Sequence, residues 1–279
     1  MIEVLLNPLH YAFMQRGMLA ALMIGILCSV VGCYVVLRSM AFMGDALAHA
    51  ILPGVAIAYL LNGNLLIGAL AAAVIVALAI GFFSRRGALK EDTAIGILFA
   101  AALALGVALI SSIKTYAVDL THILFGNLLG VSASDLWLTG ILGVIVLATI
   151  ALLYQQFLVM SFDPVLAATL RLPTELLRNL MLVLLALTVV VSLQTVGVGL
   201  VAAMLVTPGA TAYLLTRRLP AMMAAAAVVG AVSSLGGLYV SYYANIASGA
   251  AIVLTASLIF LSVFLFAPQR GEVWKLFRR

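Results

Sequence analysis

Nine stretches of about twenty residues, each nearly free of charge, leave this chain little choice of surroundings. They run over 17–37, 44–62, 65–84, 93–113, 136–158, 176–194, 197–216, 220–243 and 249–267. Roughly 20 apolar residues are what a helix needs to cross the hydrocarbon core of a bilayer. No water is available there to bond the backbone, so each segment must satisfy its own polar groups, as a helix does. A β-barrel would alternate apolar and polar residues, whereas these stretches are continuously apolar. The chain is 66% apolar and 8% charged. A soluble domain would be about 45–50% apolar and about 25% charged. The expected fold is therefore all-α, a polytopic transmembrane helical bundle of eight or nine spans. It forms a single domain over 1–279, with no room for a separate soluble unit. The sixth and seventh segments meet at the tight Gln194-Thr195-Val196-Gly197 turn, so one of the nine could be re-entrant.

Basic residues orient the bundle. If the segments alternate and the C-terminus is cytoplasmic, twelve of the 14 Lys and Arg fall on the cytoplasmic side and only Arg16 and Lys114 fall outside. That is the bias expected of a plasma-membrane protein. It puts the N-terminus outside, with residues 1–16 lying along the outer interface. The net charge of +5 is spread over segment ends and makes no nucleic-acid footprint. Cys28 and Cys33 both sit in the first apolar stretch and read as small buried hydrophobes. No basic n-region precedes that stretch and no cleavage site follows it, so it is expected to remain as an anchor.

Against this background one run is costly. Gly44-Asp45-Ala46-Leu47-Ala48-His49-Ala50-Ile51-Leu52-Pro53-Gly54 places a carboxylate and an imidazole four residues apart in an apolar segment. On a helix they share one face, about 6 Å apart along the axis. An Asp at a helix centre in the membrane costs about 2.5–3.5 kcal/mol, and such residues mark substrate paths. Carboxylate with imidazole suits a divalent transition metal such as manganese, zinc or ferrous iron. The plain alternatives are that Asp45 caps a helix beginning near residue 46 and that His49 is merely packed. The eleven methionines, Met40 and Met43 among them, read as packing and not as a copper site.

Two loops are long. The outer one, about 114–135, holds a second acid and imidazole pair, Asp119 and His122, a candidate outer gate. The inner one, about 159–175, contains Phe162-Asp163-Pro164-Val165-Leu166-Ala167. Asp as N-cap with Pro at the first helical position is a helix-start signal, and Pro173 lies beyond the end. The spacing predicts a helix of about two turns on the cytoplasmic surface, the form a docking element for a partner would take.

The run from Gly32-Cys33-Tyr34 through Asp45, His49 and Pro53-Gly54-Val55-Ala56 resembles the signature of the membrane subunit of ATP-binding-cassette importers for manganese, zinc or iron. Leu124-Phe125-Gly126-Asn127, Phe162-Asp163-Pro164 with Ala167, Val196 to Ala212 around Pro208, and Ser248 to Leu254 resemble further parts of that family in the same order. Arg171 stands where the family usually has Gly in the coupling segment, and the Asn245 to Ser248 stretch lacks a Pro common in relatives.

The resemblance implies a permease dimer, with Asp45 and His49 as metal ligands and Phe162, Asp163, Pro164 and Ala167 in the coupling segment. It implies two cytoplasmic ATPase subunits and an extracytoplasmic metal-binding protein as partners, in a bacterial plasma membrane. No cofactor would be permanently bound; Mn²⁺, Zn²⁺ or Fe²⁺ would be cargo. The chain has no Gly-x-x-x-x-Gly-Lys-Ser/Thr phosphate loop, so ATP would be hydrolysed by the partner and this chain would be no enzyme. The rival reading is an ATP-independent secondary transporter or channel, which would have no need of a docking helix. An intramembrane enzyme would want several converging polar residues, and the sequence offers one good pair.

Overall fold

The computed structural model describes residues 10–85, 91–112 and 128–267. Among these residues it has twelve α-helices, one 3₁₀ turn at Leu128–Gly130 and no strand. The helices are α1 (Ala12–Leu37), α2 (Met43–Ala50), α3 (Leu52–Leu60), α4 (Leu65–Arg85), α5 (Glu91–Ser111) and α6 (Ala133–Leu152). There follow α7 (Tyr154–Phe162), α8 (Pro164–Thr169), α9 (Thr174–Val196), α10 (Val198–Leu215), α11 (Leu219–Ala244) and α12 (Ser248–Phe266). Among the described residues eight stretches are long and apolar enough to cross a membrane, and Gly199–Leu215 is a shorter apolar helix. The seventh of the nine apolar segments is that shorter helix, with Pro208 inside it.

Boundaries moved where local chemistry outweighed hydropathy. The first helix starts at Ala12, so Arg16 lies inside α1 and not in an interfacial segment 1–16. The second segment is two helices, not one, with the break at Ile51. Pro53 has no N–H to give the carbonyl four residues back, which belongs to His49. The fifth segment starts at 133, three residues early, because Ser132 and Asp135 cap each other's backbone reciprocally. It ends at Leu152, and α7 continues after a break at Leu153.

The packing is concentric. α1 lies against α6, α9, α10 and α11, and the broken α2–α3 span lies against α4, α5, α9 and α10. These two spans and α9 are the most enclosed, at 72%, 72% and 67% buried residues, against 17% for α6 and α12. Enclosure of α1 depends on Gly32: a Cβ there would run into the carbonyl of Leu205 on α10. Small residues at such crossings let membrane helices approach closely. Cys28 and Cys33 are free and buried, and the Cys28 Sγ lies 3.3 Å from Ser192 Oγ on α9. Gly197, at φ 87°, makes the turn between α9 and α10, a conformation that a Cβ would strain.

Candidate metal site and coupling helix

Asp45 and His49 stand on α2, in the enclosed span. The helix begins at Met43 with Phe42 as N-cap, so Asp45 lies in the first turn and makes no capping bond. The capping alternative for Asp45 is thereby set aside. The i, i+4 spacing brings His49 Nε2 to 3.6 Å from Asp45 Oδ1, with both side chains half-buried. That is too long for a hydrogen bond. It matches two ligands of one ion: with metal–ligand bonds of about 2.1–2.2 Å, neighbouring donor atoms on a tetrahedron lie about 3.4–3.6 Å apart.

The imidazole ring packs against Phe99 of α5, centroid to centroid 5.6 Å and tilted by 59°. Phe99 was not legible as a site residue, because nothing in spacing joins residues 49 and 99. His49 Nδ1 is buried with no hydrogen-bond partner among the described residues. The chain therefore orients the ring by packing and turns Nε2 toward the carboxylate. Gly44, beside Asp45, sits against Leu205 of α10, whose Cδ1 would be 2.8 Å from a Cβ there. No group of three or more His, Cys, Asp or Glu gathers among the described residues. One chain thus offers two side chains of ligand type at this place, fewer than the donors a four- to six-coordinate ion takes. Asp119 and His122, with Phe125-Gly126-Asn127, lie outside the described residues.

The inner loop folds as its sequence suggests. Asp163 is the N-cap of α8, and its Oδ1 accepts from the N–H groups of Val165 and Leu166 at 3.0 and 2.9 Å. Pro164 occupies the first turn. The helix ends with Leu172 N–H donating to the Ala167 carbonyl and Arg171 N–H to that of Ala168. This is a Schellman closure, in which the residue after the cap takes the left-handed conformation. Arg171 takes it, at φ 55°. The glycine geometry is therefore present without the glycine. Phe162, Val165, Leu166 and Leu170 are exposed, Val165 by 73%. Ala167 differs from these exposed neighbours. It is fully buried within its own chain and seats α8 on the bundle.

Four likenesses bear on this geometry. The model of the ABC 3 transport family matches residues 10–267. The manganese transport system membrane protein MntC of Halalkalibacterium halodurans is 50% identical over 270 residues, covering 97% of this chain and 92% of that protein. The manganese import system permease protein ScaB of Streptococcus gordonii is 42% identical over 271 residues, covering 97% of each chain. A solved structure, PsaBC from Streptococcus pneumoniae in complex with Fab, superposes with a TM-score of 0.87 at 39% identity, covering 99% of this chain and 100% of that one. A family match across almost the whole sequence, and relatives this similar over their full length, leave one conclusion: the chain belongs to the ABC 3 transport family, as an all-α membrane permease.

Proposed function

We propose that this chain is the permease subunit of an ATP-driven importer of a divalent transition metal, with manganese as the cargo. The observation that carries the reading is the open Asp45–His49 pair, held at 3.6 Å on a half-buried face of α2. A carboxylate oxygen and a neutral imidazole nitrogen suit manganese, zinc and ferrous iron alike. Manganese is preferred because similar proteins are named for its transport.

A second copy of the permease would complete the coordination by bringing its own Asp45 and His49 to a shared axis. Two cytoplasmic ATPase subunits would hydrolyse ATP, and an extracytoplasmic protein would deliver the ion. In the bacterial plasma membrane the C-terminus would face the cytoplasm, and Asp119 and His122 would stand at the outer mouth. The exposed apolar side chains around α8 would be the ATPase-facing surface, with Asp163 and Pro164 fixing its start. That surface is the feature favouring an ATP-driven machine over a secondary transporter or channel. Radioactive Mn²⁺ uptake by cells expressing the full transporter is the test. Asp45→Asn and His49→Ala should each abolish it with the permease still present in the membrane. Wild-type uptake by both would contradict the assignment.

A further inference from the structure

Pro53 leaves a weak point in the span that carries Asp45 and His49. It has no N–H to give the His49 carbonyl, and α2 and α3 part at Ile51. Ile51 itself keeps right-handed helical angles, φ −74° and ψ −21°, so the break is a missing bond more than a turn of the chain. Helices bend where a proline interrupts their bonds. The angle at such a place is held by whatever packs on both sides of it.

α5 packs on both α2 and α3. Its residues Ile95, Phe99, Ala102 and Gly106 are spaced as one stripe of a helix and face inward, Phe99 half-buried and the others buried. Phe99 lies on the His49 ring, before the break, with centroids 5.6 Å apart. Gly106 is two turns further on, about 10.5 Å along the axis. It lies on the residues just after the break. A Cβ there would stand 2.7 Å from Leu52 Cβ, 3.1 Å from Pro53 N and 3.2 Å from Pro53 Cδ. Leu52 Cβ and Pro53 N belong to the frame of α3 and cannot swing away as a side-chain tip would. Carbon atoms in ordinary contact are about 3.5–4.0 Å apart, so a side chain at 106 would lift α5 off the break by roughly 1 Å. Gly96 on the same helix is unlike it, because a Cβ there would meet nothing within 4 Å.

We infer that Gly106 is a positioning residue for the metal pair. Its missing side chain seats α5 directly on the break, and that seat sets Phe99 against the imidazole of His49. α5 acts as a splint, with one contact on each side of Ile51. The inference rests on the reading of Asp45 and His49 as ligands of the transported ion. It adds that the grip on the ion is set in part from Gly106, which has no side chain to offer the ion.

The test is a double-mutant cycle on the purified full-length permease, read in two ways. Equilibrium dialysis of Mn²⁺ is the first. Gly106→Ala and Phe99→Ala should each weaken binding about tenfold, as outer-shell losses do. The double variant should also lose only about tenfold, because both changes act through one contact. A loss of about a hundredfold would mean independent effects and overturn the inference. The second reading needs no metal. It is the His49 ring signal in NMR spectra of histidine-labelled permease, identified by its absence in His49→Ala. In Gly106→Ala this signal should move close to its position in Phe99→Ala, and in Gly96→Ala it should keep its wild-type position. Gly106→Ala combined with Leu52→Gly moves the missing Cβ to the other helix and should bring the signal back toward wild type. That pair also serves where Gly106→Ala alone does not fold. A signal unmoved by Gly106→Ala overturns the inference. So does one moved equally by Gly96→Ala, or a pair that stays at the Phe99→Ala position. Absence of Mn²⁺ binding by the wild type would count against the metal reading alone, since the ring signal still tests the seat of α5.

Discussion

Two short helices of this protein each carry an aspartate at or near their start and use it in opposite ways. In α8 the carboxylate of Asp163 is consumed by the backbone: it accepts from two N–H groups and fixes where the helix starts. In α2 the carboxylate of Asp45 sits three residues past the N-cap, bonds to no backbone N–H and faces an imidazole across 3.6 Å. The α8 surface turns apolar side chains outward, and the α2 surface turns polar ones into an enclosed span. An aspartate beside a helix start is thus no sign of function by itself.

Substitutions that separate size, capping and charge sharpen the contrast. Asparagine keeps the size and the capping oxygen of aspartate but not its charge. Asp163→Asn should therefore leave transport near wild type, while Asp45→Asn should remove it. The loss at Asp45 should exceed the roughly 10–100-fold that follows loss of a mere outer-shell partner. Equal damage at the two sites in a metal-uptake assay would erase the distinction. Phe99→Ala sharpens it from the side of the histidine. With its packing partner gone the His49 ring is no longer held, and Mn²⁺ affinity of the purified permease should fall by about tenfold, as outer-shell losses do. Unchanged affinity would mean that α5 has no part in orienting the ring.

Smaller effects are expected on the α8 side. Replacing Leu166 with Asp places a charge on the exposed apolar surface, and co-purification of the ATPase should weaken with the permease still folded. Full retention of the ATPase would move the docking surface elsewhere. Asp163→Ala removes the cap and should cost about 1 kcal/mol of local stability, read as a lower thermal midpoint. Arg171→Gly should go the other way. A non-glycine residue in the left-handed conformation costs about 1–2 kcal/mol, so glycine at φ 55° should raise the midpoint slightly. A lower midpoint would mean that the Arg171 side chain contributes more than its backbone costs.

Much of this was legible in the sequence, for physical reasons that differ by element. Spans announce themselves because lipid demands some twenty apolar residues. The start of α8 was legible because Asp163-Pro164 acts through its own neighbouring backbone. The i, i+4 relation of Asp45 and His49 needs only helical geometry. Features that depend on distant partners were hidden. The breaks at Ile51 and Leu153 fall inside long apolar runs, so hydropathy alone does not place them. Burial of Ala167 is set by what α8 rests on, and Phe99 meets His49 only because α5 folds back on α2. One local signal went unread: Ser132 with Asp135 three residues on, which starts α6 before its apolar run begins.

The proposed function places the transported ion on Asp45 and His49. Equilibrium dialysis of radioactive Mn²⁺ against the purified permease, without ATPase or delivery protein, tests that most directly. Wild type and Asp163→Asn should bind the ion alike, and Asp45→Asn and His49→Ala should bind none above background. Saturable wild-type binding by both Asp45→Asn and His49→Ala would contradict the account.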